Sequence, residues 1–233
     1  MNEHHHIVKS HDEEQAALQG LLLQMGELAA LQLDAALDAL ACRDVDAAQQ
    51  IILRDAEIDA LERRVGHDVI RLIQRGPLAL DLRIPLAALR VAADIERIGD
   101  LAANVAKRSQ TLLQAPPLPQ TRGLDTLGRL AARQTRDVLD AYARRDEAAA
   151  LRVRERDAEL DTLHTSLFRE LLTWMMEDPR SITPCTHLLF MAKNLERIGD
   201  HATNIAENVW FLLHGDATMP PREKRDESSS IAD

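Results

Sequence analysis

Four pairs of carboxylates stand at a spacing of four residues: Asp55 and Asp59, Glu96 and Asp100, Asp157 and Asp161, Glu196 and Asp200. Side chains four apart share one face of a helix, so each pair presents two acids together, and Asn104 and Asn204 extend two of the rows. Like charges so placed cost an exposed helix about 0.2–0.5 kcal/mol. Gly99 and Gly199, inside the IERIGD and LERIGD segments, each cost a helix about 1 kcal/mol relative to alanine. A chain that keeps both costs twice invites a functional reading. Oxygen ligands from two neighbouring helices suit a hard or borderline cation such as Mg²⁺, Ca²⁺, Mn²⁺ or iron. A mid-helix glycine would let the backbones approach closely enough for short Asp side chains to share it. The residues alone leave a plainer reading open. The pairs can be solvated acidic faces, with Arg97 and Arg197 pairing to Asp100 and Asp200, the glycines serving helix packing and the asparagines bonding between helices.

The segments that position these acids repeat. MGELAALQ (25–32) falls on LGRLAARQ (127–134), LDALACRD (37–44) on LDAYARRD (139–146), and RDAEIDAL (54–61) on RDAELDTL (156–163). After a two-residue slip, IERIGDLAANVA falls on LERIGDHATNIA. The order is the same in both halves, which marks a duplication. Each copy reads as three long helices. In the first they span Glu13 to Cys42, Asp46 to Gln74 with a break at Arg75-Gly76-Pro77, and Pro85 to Leu113. In the second they span Leu124 to Ala143, Asp146 to Met176, and Pro184 to Leu213. The prolines of APPLPQTRG (115–123) cannot continue a helix. Short connections make successive helices antiparallel neighbours. The expectation is an all-α protein of six long helices: one three-helix bundle at 12–114, a second at 122–214, and a disordered tail at 215–233.

Composition narrows the chemistry. A formal net charge of −10 with 3% aromatic residues argues against nucleic acid, which needs basic and stacking surfaces. Leu and Ala dominate the apolar 45% and favour helix. Cys42 and Cys185 are too few for a disulfide framework and read as free buried or semi-buried thiols. The opening lacks a signal-peptide apolar core and no stretch suits a membrane span, so a cytosolic protein is expected. His4, His5 and His6 read as a floppy terminus rather than a metal tract. Catalysis finds little support, since neither GxxxxGK[ST] nor GxSxG occurs. A di-iron oxidase would need Glu-x-x-His on two helices, whereas Asp161-x-x-His164 is matched by Asp59-x-x-Glu62. His67, His187 and His201 are also unmatched and read as surface or packing residues. Trp174, Met175 and Met176 read as core.

The twin ERIGD segments with their trailing NxA, the DAEID and DAELD segments, LLTWMMEDPRSI and the opening HHIVKSHDEE together resemble the PhoU family over residues 5 to 213. The resemblance implies paired three-helix bundles forming a homodimer, in the cytoplasm and peripheral at the inner face of the membrane. It implies a non-enzymatic regulator that represses the phosphate-starvation response when phosphate is plentiful. Its partners would be the ATPase subunit of the Pst phosphate transporter and the PhoR sensor histidine kinase. It further implies multinuclear iron or zinc held by [DE]xxxD motifs, which fall here on Asp55, Asp59, Glu96, Asp100, Asp157, Asp161, Glu196 and Asp200. A metal-binding or storage protein built on the same carboxylates is the alternative.

Overall fold

The computed structural model describes residues 2–75, 81–114, 116–215 and 219. Six helices follow in order: α1 (Asn2–Cys42), α2 (Val45–Arg75), α3 (Arg83–Leu112), α4 (Thr121–Arg144), α5 (Glu147–Glu177) and α6 (Ile182–His214). One 3-10 turn, Pro179–Ser181, precedes α6. The described residues contain no strand. Five of the six helices lie within three residues of the expected spans. The exception is α1, which runs back to Asn2 and takes in His4, His5 and His6; residues 2–19 contain neither Gly nor Pro to stop it. Of the tail expected at 215–233, all but Gly215 and Met219 lie outside the described residues, as do Gly76 and Pro77 of the expected break.

The turn between the first two helices of each half is built the same way twice. Arg43 and Arg145, with φ of 57° and 50°, adopt the left-handed conformation. The next amide, of Asp44 or Asp146, reaches back to the carbonyl of Ala39 or Ala141 at 2.8 and 2.9 Å, as in a Schellman ending. Each Asp side chain then caps the following helix, accepting from Ala47 or Ala149 at 2.9 Å. Pro85 and Pro184 each take the third position of their helices, where the missing amide has no intrahelical acceptor anyway.

The two bundles share one continuous core. Helices α3 and α6 pack directly on each other, as do α1 and α4, with α2 and α5 on the outer flanks. The α3–α6 pair is antiparallel: Arg90, near the start of α3, lies over Phe211, near the end of α6, and Arg108 lies over Phe190. Fully buried alanines, including Ala102, Ala106, Ala202 and Ala206, let these two backbones approach. Between α1 and α4 the contact is reciprocal. Gly26 receives Leu139 and Gly128 receives Leu37; a Cβ at either glycine would come 2.5 Å from the leucine. The four positions are related by the same offset of 102 residues. Charges on this seam have diverged between the copies. Asp34 pairs with Arg136, its own counterpart, and with Arg129 at 2.9 Å.

Candidate functional site

Helices α2 and α3 face each other in the first half, α5 and α6 in the second. The mid-helix glycines lie at these contacts. A Cβ on Gly99 would come 2.7 Å from Ile58 Cδ1 and 3.4 Å from Asp55 Oδ1. One on Gly199 would come 2.6 Å from Leu160 Cδ2, 2.8 Å from Asp157 Oδ1 and 3.2 Å from Gln134 Oε1. Each glycine thus admits an apolar side chain and a carboxylate from the neighbouring helix, and any Cβ would displace them.

In the first half all four acids are half-buried, and they feel one another. Burial raises the Asp55 carboxyl above its ordinary value, and the Asp100 and Asp59 carboxylates add to the rise; the Gln32 amide and Lys107 oppose it. Burial also raises Glu96, assisted by Asp100, Asp59 and Glu62 and opposed by Arg97. Arg97 lies 3.3 Å from Glu96 and 3.0 Å from Asp100, the pairing that the plainer reading anticipates. Asp59, Glu62, Arg63, Ala93, Glu96 and Arg97 line a cleft of about 380 Å³.

The second half carries the same acids in a drier setting. Asp157, Asp161 and Glu196 are 3%, 4% and 4% exposed, and Asp200 is half-buried. Lys193 Nζ lies 2.9 Å from Glu196. His164 and Thr165, which follow Asp161 on α5, are buried as well. Phe168, one turn on, places its ring 6.4 Å from that of His164.

The sequence reading gave no site role to Gln32, Gln134 or Glu62. Gln32 on α1 donates from Nε2 to Asp55 Oδ1 at 2.8 Å and to the Gly99 carbonyl at 3.0 Å, joining all three helices of its bundle. Its counterpart Gln134 on α4 is 2% exposed, and neither of its amide atoms has a hydrogen-bond partner among the described residues. The signal lay in the repeat, since both glutamines close matched blocks 102 residues apart. Glu62, named in the sequence only as the counterpart of His164, lies three after Asp59 and so shares its face, and it lines the cleft.

Other expected placements divide. Asn204 does not extend the acid row toward α5. Its Nδ2 donates to Asp94 Oδ1, on α3 of the other half, at 3.1 Å, and His201 Nδ1 lies 2.9 Å from the same oxygen. Each step of four residues turns about 40° around a helix of 3.6 residues per turn, so the row drifts off its face within two steps. Trp174 and Met175 pack against the core, but Met176, on the last turn of α5, is 85% exposed. Cys185 is buried and Cys42 exposed, both as free thiols.

The donor set suits a hard cation. It is all oxygen, the glycines leave room that a Cβ would fill, and a buried amide lies unbonded beside a carboxylate. Yet among the described residues no three His, Cys, Asp or Glu side chains converge closely enough to hold an ion as they stand.

Comparison with known proteins agrees with this architecture. The PhoU domain family matches residues 22–109 and 124–209, one match in each half. A phosphate-specific transport system accessory protein PhoU homolog of Xylella fastidiosa is 60% identical over 97% of this chain and 96% of that protein. The homolog of Pseudomonas aeruginosa is 37% identical over 91% and 88%. The crystal structure of PhoU from Pseudomonas aeruginosa superposes with a TM-score of 0.84 at 36% identity, covering 88% of this chain and 99% of that one. The phosphate transport system regulatory protein PhoU from Streptococcus pneumoniae gives 0.81 at 27%, covering 90% and 99%. Two matched domains, relatives aligned almost end to end and a six-helix architecture shared with solved members establish that this chain belongs to the PhoU family, the non-enzymatic regulators of phosphate signalling.

Proposed function

We propose that this chain represses the phosphate-starvation response when phosphate is plentiful by connecting the Pst phosphate transporter, through its ATPase subunit, to the PhoR sensor histidine kinase. It works as a homodimer at the inner face of the membrane; no described helix is long and apolar enough to cross one. The observation that carries the reading is an acidic motif kept at equivalent places of a duplicated scaffold, open to solvent in the first half. There it opens as a cleft with Glu62, Glu96 and Asp59 at its wall. Such a face attracts basic side chains of a partner, and exchanging one partner for another transmits a signal without a reaction.

Asp55, Asp59, Glu96 and Asp100 in the first half, and Asp157, Asp161, Glu196 and Asp200 in the second, are the groups that would hold a cation there. Burial raises Asp55 and Glu96, and neighbouring carboxylates add to the rise; iron, zinc, manganese or magnesium would cancel that added repulsion and draw the carboxylates of adjacent helices together.

The reading is tested by alkaline phosphatase activity in a strain lacking this gene, grown in excess phosphate. High activity, returned to low by the intact gene, is the expected result; activity that stays low without the gene would overturn it. For the cation, Asp100→Ala combined with Asp200→Ala is expected to weaken manganese binding at least tenfold with helicity intact by circular dichroism. Native affinity in that variant would remove these carboxylates from the site.

A further inference from the structure

We propose that the groove between α2 and α3 docks a segment of a partner protein that carries a large apolar side chain beside a lysine or arginine, the two groups with which the second half fills the same groove from within. The inference rests on the partner-docking reading above and specifies what the first half recognises.

On α2, Asp59, Glu62, Gly66, Ile70 and Ile73 recur every three or four residues and so share one face. On α3 the same spacing joins Leu86, Leu89, Ala93 and Glu96. The two helices are antiparallel neighbours, with Ile58 of α2 against Gly99 of α3 and Glu62 across the cleft from Ala93. Beyond the cleft, Gly66, Ile70 and Ile73 therefore come alongside Leu89 and Leu86. Ile70, Ile73, Leu86 and Leu89 are 56%, 44%, 44% and 40% exposed, and a Cβ at Gly66 would meet nothing within 4 Å. The groove is apolar at one end and acidic at the other, with an open gap at Gly66 between them.

The second half shows what closes such a groove. Phe168 stands where the first half has Gly66, and Lys193 where it has Ala93. The Phe168 ring is half-buried beside His164, and Lys193 Nζ lies 2.9 Å from Glu196. Around them Leu172, Met175 and Leu189, the counterparts of Ile70, Ile73 and Leu89, are half-buried. The first half keeps the walls and lacks the filling. Arg97 answers Glu96 and Asp100, while Asp59 and Glu62 make no ion pair among the described residues. Three carboxylates, of Asp59, Glu62 and Glu96, face two guanidiniums, of Arg63 and Arg97, so the cleft wall keeps a net negative charge. That charge favours a basic side chain on the occupant. It also repels an anionic lipid surface, whereas apolar anchors at three- and four-residue spacing suit a protein segment laid along the groove.

The test begins with displayed peptides of about 12 residues, about three helical turns, selected on the native full chain. The comparison protein is Gly66→Phe combined with Ala93→Lys, which installs the second half's filling. Enriched peptides should pair Phe, Trp or Leu with Lys or Arg. Their binding should weaken at least about tenfold in that variant, and likewise in Leu86→Ser combined with Leu89→Ser, whose exposed positions leave the core untouched. No enrichment, or equal binding to native and variant proteins, would overturn the proposal. In the strain lacking this gene, grown in excess phosphate, Gly66→Phe with Ala93→Lys should leave alkaline phosphatase high although the purified variant matches or exceeds the native Tm. Full repression by that variant would overturn the groove assignment and leave the regulatory reading standing. Low activity without the gene would overturn the regulatory reading, and the peptide selection would then decide the groove by itself. A changed oligomeric state of the variant in sedimentation would hand the groove to a second copy of this chain. Tighter peptide binding after removal of residues 220–233 would hand it to the chain's own tail. Either result overturns the partner assignment.

Discussion

Asp55, Asp59 and Glu96 keep contact with water, whereas their counterparts Asp157, Asp161 and Glu196 are almost wholly buried. The acids are the same in kind and spacing; their neighbours differ. Glu62 and Arg63 in the first half correspond to His164 and Thr165 in the second, and Gly66 to Phe168. A charged Glu and Arg resist burial and hold the cleft open, while a His and a Thr are cheaper to enclose. A Cβ at Gly66 would meet nothing within 4 Å, whereas Phe168 stands beside buried His164. Duplication supplied two copies of one acidic motif, and substitutions around it made one wet and one dry. The dry copy holds charges whose interactions are stronger in either direction. The wet copy is the one that a partner's side chains can reach.

The contrast can be broken most forcefully at the glycines. Overpacking a helix contact costs about 1–3 kcal/mol, and replacing a helical glycine returns about 1 kcal/mol. A Cβ at Gly199 meets a leucine and two buried oxygens, one at Gly99 chiefly the tip of Ile58. Gly199→Ala is therefore expected to lose about 2 kcal/mol in denaturant unfolding and Gly99→Ala less than about 1 kcal/mol. Equal losses would show that the two helix contacts are equally forgiving. Phe168→Ala tests the cover directly. The ring is only partly buried, so a loss of about 2 kcal/mol, below the range for a core phenylalanine, is expected. Faster amide exchange along α5 around His164 should accompany it. An unchanged exchange pattern would mean that Phe168 does not keep the second site dry.

The first site can be sharpened through pH. Folding raises Asp55 above 3.8 and Glu96 above 4.5. The native state therefore binds more protons than the unfolded chain across the interval between ordinary and raised values. Their contribution to stability is present below the ordinary carboxylate range and is lost as pH rises through it toward the raised values. Asp55→Asn with Glu96→Gln should remove this loss, so the variant's Tm relative to native climbs as pH rises above the ordinary carboxylate range of about pH 4. A difference that stays flat with pH would show that the pair is not strained by its own charge. The smallest effect is expected at the duplicated turn. A non-glycine residue in the left-handed region costs about 1–2 kcal/mol, so Arg145→Gly should raise stability by about 1 kcal/mol. Arg43→Gly should gain less, because the Arg43 guanidinium bonds the Leu113 carbonyl at 2.6 Å. Equal gains at both turns would mean that this bond contributes nothing.

The six helices, their antiparallel order, the duplication and the four acid pairs could be read from the chain itself. Helix propensity, proline breaks and the four-residue rows act between residues close in sequence, and the repeat exposes them twice. The aspartates that cap α2 and α5 lie where the repeated turns place them. What covers a side chain is decided by residues far along the chain, and local spacing is silent about it. Gln32 and Gln134 stood in plain view within matched blocks, but only the packing of α1 and α4 onto their neighbours brings them to the acids. Asn204 continues a row by counting, yet the helix turns it onto Asp94 of the opposite half. The merging of two bundles into one core, and the division into a wet and a dry site, belong to the tertiary structure because both follow from which surfaces exclude water from which charges.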